Sequence, residues 1–250
     1  MSKMIIAVCG KGGVGKTTVS AMISRSLFLS GKPRTLLVDA DPSSGLAIAL
    51  GMEPERTVEY LRNNTIGEVR QGRTDKRDLA QSLDYLLLDA LVERGNLALL
   101  SIGRPEQRGC YCSVNSLLRE AIELLAGQFD LVLIDAEAGV EQVNREVLRG
   151  VDKLLLVGDT SQKSLRVTMT IDEVARKYAA DIESLLLINR VRETDEYSQS
   201  VASTNLKFAL GIPEDGTVRE YDAEARSFLQ MPDCPATAAV DELLALMRLT

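Results

Sequence analysis

Residues 10–18 read Gly-Lys-Gly-Gly-Val-Gly-Lys-Thr-Thr (GKGGVGKTT), and this run decides the fold. It fits the pattern G-x-x-x-x-G-K-[ST], with Gly10, Gly15, Lys16 and Thr17 at the defining positions. Glycines let backbone N–H groups curl around phosphate oxygens, and a helix that begins near Lys16 points its positive end at them. Gly12, Gly13, Val14, Gly15 and Thr18 complete the candidate cradle. Lys16 is placed to reach β- and γ-phosphates, and the Thr17 hydroxyl to ligate Mg²⁺. ATP with Mg²⁺ is therefore the expected ligand. The motif demands a strand before it and a helix after it. MIIAVC (4–9) reads as a short buried strand, and GKTTVSAMISRSLFLSG (15–31) as an amphipathic helix that ends at Gly31.

Working outward, TLLVDAD (35–41), DLVLID (130–135), DKLLLVGD (152–159) and SLLLINR (184–190) are continuous apolar runs with polar flanks. Helical stretches such as SLRVTMTIDEVARKYAAD (164–181) separate them. Continuous rather than alternating strands joined by helices indicate a parallel sheet covered on both faces. The expected fold is a three-layer α/β phosphate-loop NTPase with a mostly parallel central sheet flanked by helices. Residues 1–250 are read as a single domain, since one large core suits this length and no tract resembles a linker. Residues 52–108 break the rhythm; their ordered part, LDYLLLDALVERGNLALLSIG (83–103), suits a strand pair or a helix and strand. The last helix, VDELLALMRL (240–249), carries one basic residue and reads as a packing helix rather than a membrane anchor.

Composition narrows the function. Apolar residues make up 45% and charged residues 26%, an ordinary globular balance, and the formal charge is −7. That charge argues against a sequence-independent grip on nucleic acid. No apolar run approaches the roughly 20 residues that span a bilayer, and the N-terminal run is too short for a secretory signal. The expectation is a cytoplasmic protein with no nucleic-acid or membrane partner.

Three carboxylates fit the phosphate site. Asp39 and Asp41 lie at the end of the second strand, where open α/β sheets bind ligands. Asp135 closes DLVLID and would hold Mg²⁺ directly or through water. Asn189 ends SLLLINR beside Arg190; its amide offers a donor and an acceptor, which suits an adenine edge or simply a turn.

The chain has no histidine and four cysteines, of which Cys110 and Cys112 form GCYCS (109–113). Cys9 and Cys234 read as small apolar fillers. Residues i and i+2 diverge on strands and helices alike, so the two sulfurs can share an ion only if residues 109–113 are irregular. Ser113 is then a plausible N-cap for the helix VNSLLREAIELLAG (114–127), whose N-terminus would favour thiolate. One C-x-C supplies two of the four thiolates of a closed site, and a twofold dimer would supply the other two. Two reduced thiols or a disulfide are the alternatives.

The loop, with Lys11 as an additional lysine, resembles the deviant Walker A motif of the superfamily of nitrogenase reductase, Min and Par ATPases. The resemblance implies an ATP-dependent homodimer in which Lys11 crosses to the partner's nucleotide, and in which hydrolysis needs both subunits. It further implies that Asp41 is a switch residue near the attacking water, with Asp39 close to the magnesium. Asn189 and Arg190 would then contact the base, and GIPED (211–215) around Pro213 would line the same pocket. DAEAGVEQ (135–142) together with C-x-C resembles the CooC-type ATPases that mature nickel-containing carbon monoxide dehydrogenase and acetyl-CoA synthase. This implies an ATP-driven metallochaperone for Ni²⁺, with Zn²⁺ possible in vitro and one of those nickel enzymes as client. Gln142 stands where that family would carry histidine. The competing reading is an electron-transfer ATPase with a dimer-bridging [4Fe–4S] cluster, against which the cysteine-free run 135–150 counts.

Overall fold

The computed structural model describes residues 3–70, 85–104, 111–136, 150–192 and 198–249, with no side-chain description at 65–70, 111–117 and 199–200. The apolar runs are strands. In chain order these are β1 (Met4–Gly10), β2 (Thr35–Asp39), β3 (Val92–Arg94), β4 (Leu97–Ser101), β5 (Leu131–Asp135), β6 (Lys153–Gly158), β7 (Glu183–Val191) and β8 (Lys207–Pro213). The helices are α1 (Lys16–Ser30), α2 (Gly45–Leu50), α3 (Val58–Arg70), α4 (Tyr111–Leu125), α5 (Gln162–Tyr178), α6 (Ser198–Ala202), α7 (Gly216–Ala223) and α8 (Pro235–Leu246).

The described strands form one eight-stranded sheet in the order β3-β4-β2-β5-β1-β6-β7-β8. Every pairing is parallel except β3–β4. Because both faces are covered, the inner strands carry apolar residues in both directions. Ile5, Ala7 and Cys9 of β1 join Leu118, Ala121, Ile122 and Leu125 of α4 and Leu165, Ile171 and Ala175 of α5 on one face. Ile6 and Val8 point the other way, into a core with α1, α2 and α8. The α4 residues recur at helical spacing, i, i+3, i+4 and i+7, as an amphipathic helix requires. Helix α1 is different: Val19 through Leu27 are all buried, because the helix is enclosed by the sheet on one side and by α2 and α8 on the other. Each fully buried Leu or Ile in these layers contributes about 1.5–3 kcal/mol.

The region that resisted sequence reading is a helix, α3, followed by a short helical segment at 85–89 and the β3–β4 hairpin. Gly95 and Asn96 make its two-residue turn, with Gly95 at φ +61°. The Asn96 amide donates to the carbonyls of Leu27 and Pro33, which ties the hairpin to the end of α1. Helix α8 is a packing helix, burying Ala236, Val240, Leu243 and Leu244. Among the described residues no helix is long and apolar enough to cross a membrane.

Candidate nucleotide and magnesium site

The phosphate loop leaves β1 at the carboxyl edge of the sheet and enters α1 at Lys16. At Gly10 a Cβ would lie 2.2 Å from the Val157 carbonyl oxygen of β6, so no side chain fits where the loop departs. At Gly15 the backbone has φ +90°, and a Cβ would lie 2.4 Å from Asn189 Nδ2. That amide donates to the Val14 carbonyl at 2.8 Å, and the Arg190 guanidinium donates to the Gly13 carbonyl at 3.3 Å. The end of β7 thus braces the loop from behind. Lys16 is buried, and its ammonium makes a long 3.4 Å contact to the Lys11 carbonyl. The Lys11 side chain is partly exposed at the mouth, with Gly12 and Gly13 exposed beside it.

Sheet register sets the carboxylates. Asp39 and Asp135 are direct partners across β2 and β5. One Asp135 oxygen accepts from the Thr17 hydroxyl at 2.7 Å, and the other accepts from Ser20 at 2.9 Å. Asp39 accepts from the N–H of Ala47 at 3.0 Å and from that of Asp41 at 3.3 Å. Burial pushes Asp39 up to about 7, against the N–H of Ala47 and with added repulsion from Asp135. Burial likewise pushes Asp135 up to about 6, although Thr17, Ser20 and Lys16 all favour its ionised form. Asp41 lies further out, one oxygen holding the N–H of Ser43 at 2.8 Å and its hydroxyl at 2.6 Å.

This donor set suits Mg²⁺. Among the described residues no group of three or more Cys, Asp and Glu gathers as a protein-only cage. Magnesium instead keeps most of its water and takes one or two protein oxygens plus substrate phosphates. A hydroxyl already bonded to a buried carboxylate that burial disfavours as an anion is a site short of a cation.

Beside the loop lies a cavity of about 370 Å³, lined among others by Thr18, Asn189, Arg190, Pro213, Asp215 and Ala236. The structure places the phosphate loop, Thr17, Asp39, Asp135, Asn189, Arg190 and Pro213 together at this edge of the sheet. Asn189 differs in detail: it is almost wholly buried and spends an amide hydrogen on the loop, so its oxygen is the acceptor it can turn towards a base. Sequence reasoning missed Ser20. The signal was present, since Ser20 follows Thr17 by three residues and so shares its helix face.

The cysteines part company. Cys9 is buried in β1, and burial pushes its thiol up to about 12, consistent with a filler. Cys234 caps α8, its N–H bonded to the Thr237 hydroxyl at 2.9 Å. Cys112 lies in the first turn of α4, which begins at Tyr111. Ser113 is consequently inside the helix and is not its N-cap, because the helix starts three residues earlier than its apolar pattern suggests. The irregular backbone expected over 109–113 is not found at 111–113, which are helical, and the other two residues are 109 and 110. Those two, Cys110 among them, lie outside the described residues, as does the run 137–149 with Gln142.

The family described as "AAA domain" matches residues 2–184. An uncharacterized ATP-binding protein of Methanocaldococcus jannaschii is 34% identical over 244 residues, covering 92% of each chain. The carbon monoxide dehydrogenase accessory protein CooC of Rhodospirillum rubrum is 33% identical over 183 residues, 69% of each chain. Among solved structures, the septum site-determining protein MinD of Pyrococcus horikoshii, complexed with Mg-ADP, superposes with a TM-score of 0.69. It is 24% identical, with 99% of this chain and 96% of that one covered.

Proposed function

This chain belongs to the AAA-domain family and is an ATPase, and we propose that it is one that delivers metal. ATP binding and hydrolysis would close and open a homodimer, and that motion would load or release Ni²⁺ for a nickel enzyme, carbon monoxide dehydrogenase or acetyl-CoA synthase. The observation that carries this reading is the match to a carbon monoxide dehydrogenase accessory protein over 69% of both chains. It is supported by a C-x-C motif in a chain with no histidine. Four thiolates, two from each subunit, form a complete soft-metal site.

The residues take the following roles in one 250-residue domain. Backbone N–H groups of Gly12 to Thr18 cradle the phosphates, and Lys16 balances charge on the β- and γ-phosphates. Thr17 and Asp135 would hold Mg²⁺ with Asp39 behind them, and the ion would supply positive charge against the phosphates. Asp41 orients the attacking water once Ser43 releases its carboxylate. Lys11 of each subunit reaches the partner's nucleotide and stabilises charge as the γ-phosphate leaves. Asn189 offers its oxygen to the amine of adenine in the cavity beside Arg190 and Pro213.

Equilibrium dialysis with elemental analysis tests the metal reading. The expected result is about half a Ni²⁺ or Zn²⁺ per chain, since two C-x-C pairs complete one four-thiolate site. The Cys110→Ser, Cys112→Ser double variant should lose that metal while its ATP affinity is kept. Cys9→Ser and Cys234→Ser should keep the metal. Full-affinity binding by the double variant would eliminate the site, and iron with sulfide in the anaerobic protein would replace nickel delivery with electron transfer.

A further inference from the structure

Helix α1 buries a stripe of hydroxyls where apolar side chains would pack more cheaply. Thr17, Ser20 and Ser24 recur at i, i+3 and i+7, and Ser20 and Ser24 have no exposed surface. A hydroxyl that far from water persists at low cost only if it is bonded. Ser24 answers locally, donating to the Ser20 carbonyl at 2.7 Å. Ser20 does not: its hydroxyl leaves the helix and donates to Asp135 Oδ1, across the layer boundary, at 2.9 Å.

The geometry matters because the last torsion of an aspartate is broad. One hydrogen bond, from Thr17 to Oδ2 at 2.7 Å, would leave the carboxylate free to swing about that contact. A second donor on the other oxygen, one turn along the same rigid helix, fixes the plane. We propose that Ser20 is a positioning residue of the magnesium site, clamping one oxygen of Asp135 so that the other stays at Thr17. Groups that orient a ligand in this way govern metal affinity almost as strongly as the ligands themselves. Ser20 touches neither nucleotide nor reacting atoms, and it acts only through Asp135.

The inference rests on the assignment of Asp135 to Mg²⁺, so the test carries an arm for each. Calorimetry measures ADP binding to the full chain in EDTA, and separately Mg²⁺ binding to the ADP-saturated chain. Ser20→Ala should weaken Mg²⁺ by about 10-fold or more and leave metal-free ADP affinity within about 2-fold. Ser24→Ala, which removes the neighbouring hydroxyl without touching Asp135, should match the wild type. Asp135→Asn should weaken Mg²⁺ at least as much as Ser20→Ala. Wild-type Mg²⁺ affinity in Ser20→Ala beside a weakened Asp135→Asn overturns the role of Ser20 alone. Wild-type affinity in Asp135→Asn overturns the metal assignment and takes Ser20 with it. Equal losses of ADP and Mg²⁺ binding in Ser20→Ala would mean general damage to the loop, and would also overturn the proposal. Ser20→Cys, a near-isostere with a weak donor, is read against the same outcomes should the alanine variant unfold.

Discussion

At the amino ends of the strands, Glu183 of β7 lies between Lys153 of β6 and Lys207 of β8 and is hydrogen-bonded to both. At the carboxyl ends, Asp39 and Asp135 stand side by side across β2 and β5, with Lys16 as a neighbouring cation. The same functional group meets opposite fates. The hydrogen bond from Lys153, aided by Lys207, holds Glu183 down at about 2, while burial lifts Asp39 to about 7 and Asp135 to about 6. The amino end neutralises its own charge and is finished when the chain folds. The carboxyl end folds with charge left to be balanced, which a ligand must supply.

That contrast can be broken in several places. The largest effect is expected at the mouth of the site. Lys11→Ala should bind ATP within about 3-fold of the wild type yet hydrolyse it about 10³-fold more slowly, since the lost charge acts across the dimer in the transition state. Steady-state turnover set beside calorimetric affinity separates the two, and a variant that turns over normally would sink the clamp.

Lys16→Ala removes the buried cation itself. Leaving charge unpaired in a desolvated site costs about 2–5 kcal/mol, so ATP affinity should fall about 10²- to 10³-fold. Titration calorimetry with Mg²⁺ present reads this directly.

A smaller effect comes from pH. Both aspartates have raised values, so between pH 4 and 7 the folded chain holds protons that the unfolded chain has lost. Their contribution to stability is complete below about pH 4 and is lost as pH climbs through about 6 and then 7. The nucleotide-free protein should therefore melt lower at pH 8 than at pH 5, by several degrees. Mg²⁺ with ADP should flatten that slope, and an equally steep slope with ligand bound would contradict the contrast.

The smallest effect belongs to the finished end. Glu183 is more than a third exposed, so Glu183→Gln should change stability by less than about 1 kcal/mol, roughly 2 °C, at pH 7. The Glu183 contribution is present above about pH 4.5 and is lost as pH falls through about 2, so the variant should converge on the wild type in strong acid. ATP turnover should be unchanged.

The legibility of the chain follows the same division. TLLVD, LVLID and KLLLVG were readable because central parallel strands are buried on both faces and carry unbroken apolar runs. The β3–β4 hairpin was not, since β3 has three residues, two of them exposed, and its run merges with the helical segment before it. The phosphate loop announced itself through glycines that only a close backbone approach explains. Ser20 stayed hidden because a serine inside a helix is ordinary by itself, and only the register between α1 and β5 shows what its hydroxyl meets. Asn189 was found for its two-sided amide, but its grip on Val14 belongs to the packing of β7 against the loop. The start of α4 lies three residues before the one that Ser113 suggested, because apolar spacing marks a helix body better than its ends.

One consequence of the strand order concerns the ribosome. β1 is translated before the other seven described strands and carries the phosphate loop on its end, yet its two neighbours in the sheet are β5 and β6, residues 131–135 and 153–158. At about 5–20 residues per second, on the order of ten seconds separate the emergence of β1 from that of either neighbour. Throughout that interval MIIAVC has no partner edge on either side, and it is a short, uncharged, strand-forming segment of the kind that pairs with the wrong chain. The nascent protein is therefore most vulnerable before residue 131 appears, and holding factors that bind apolar nascent segments should engage it there and leave once β6 has docked.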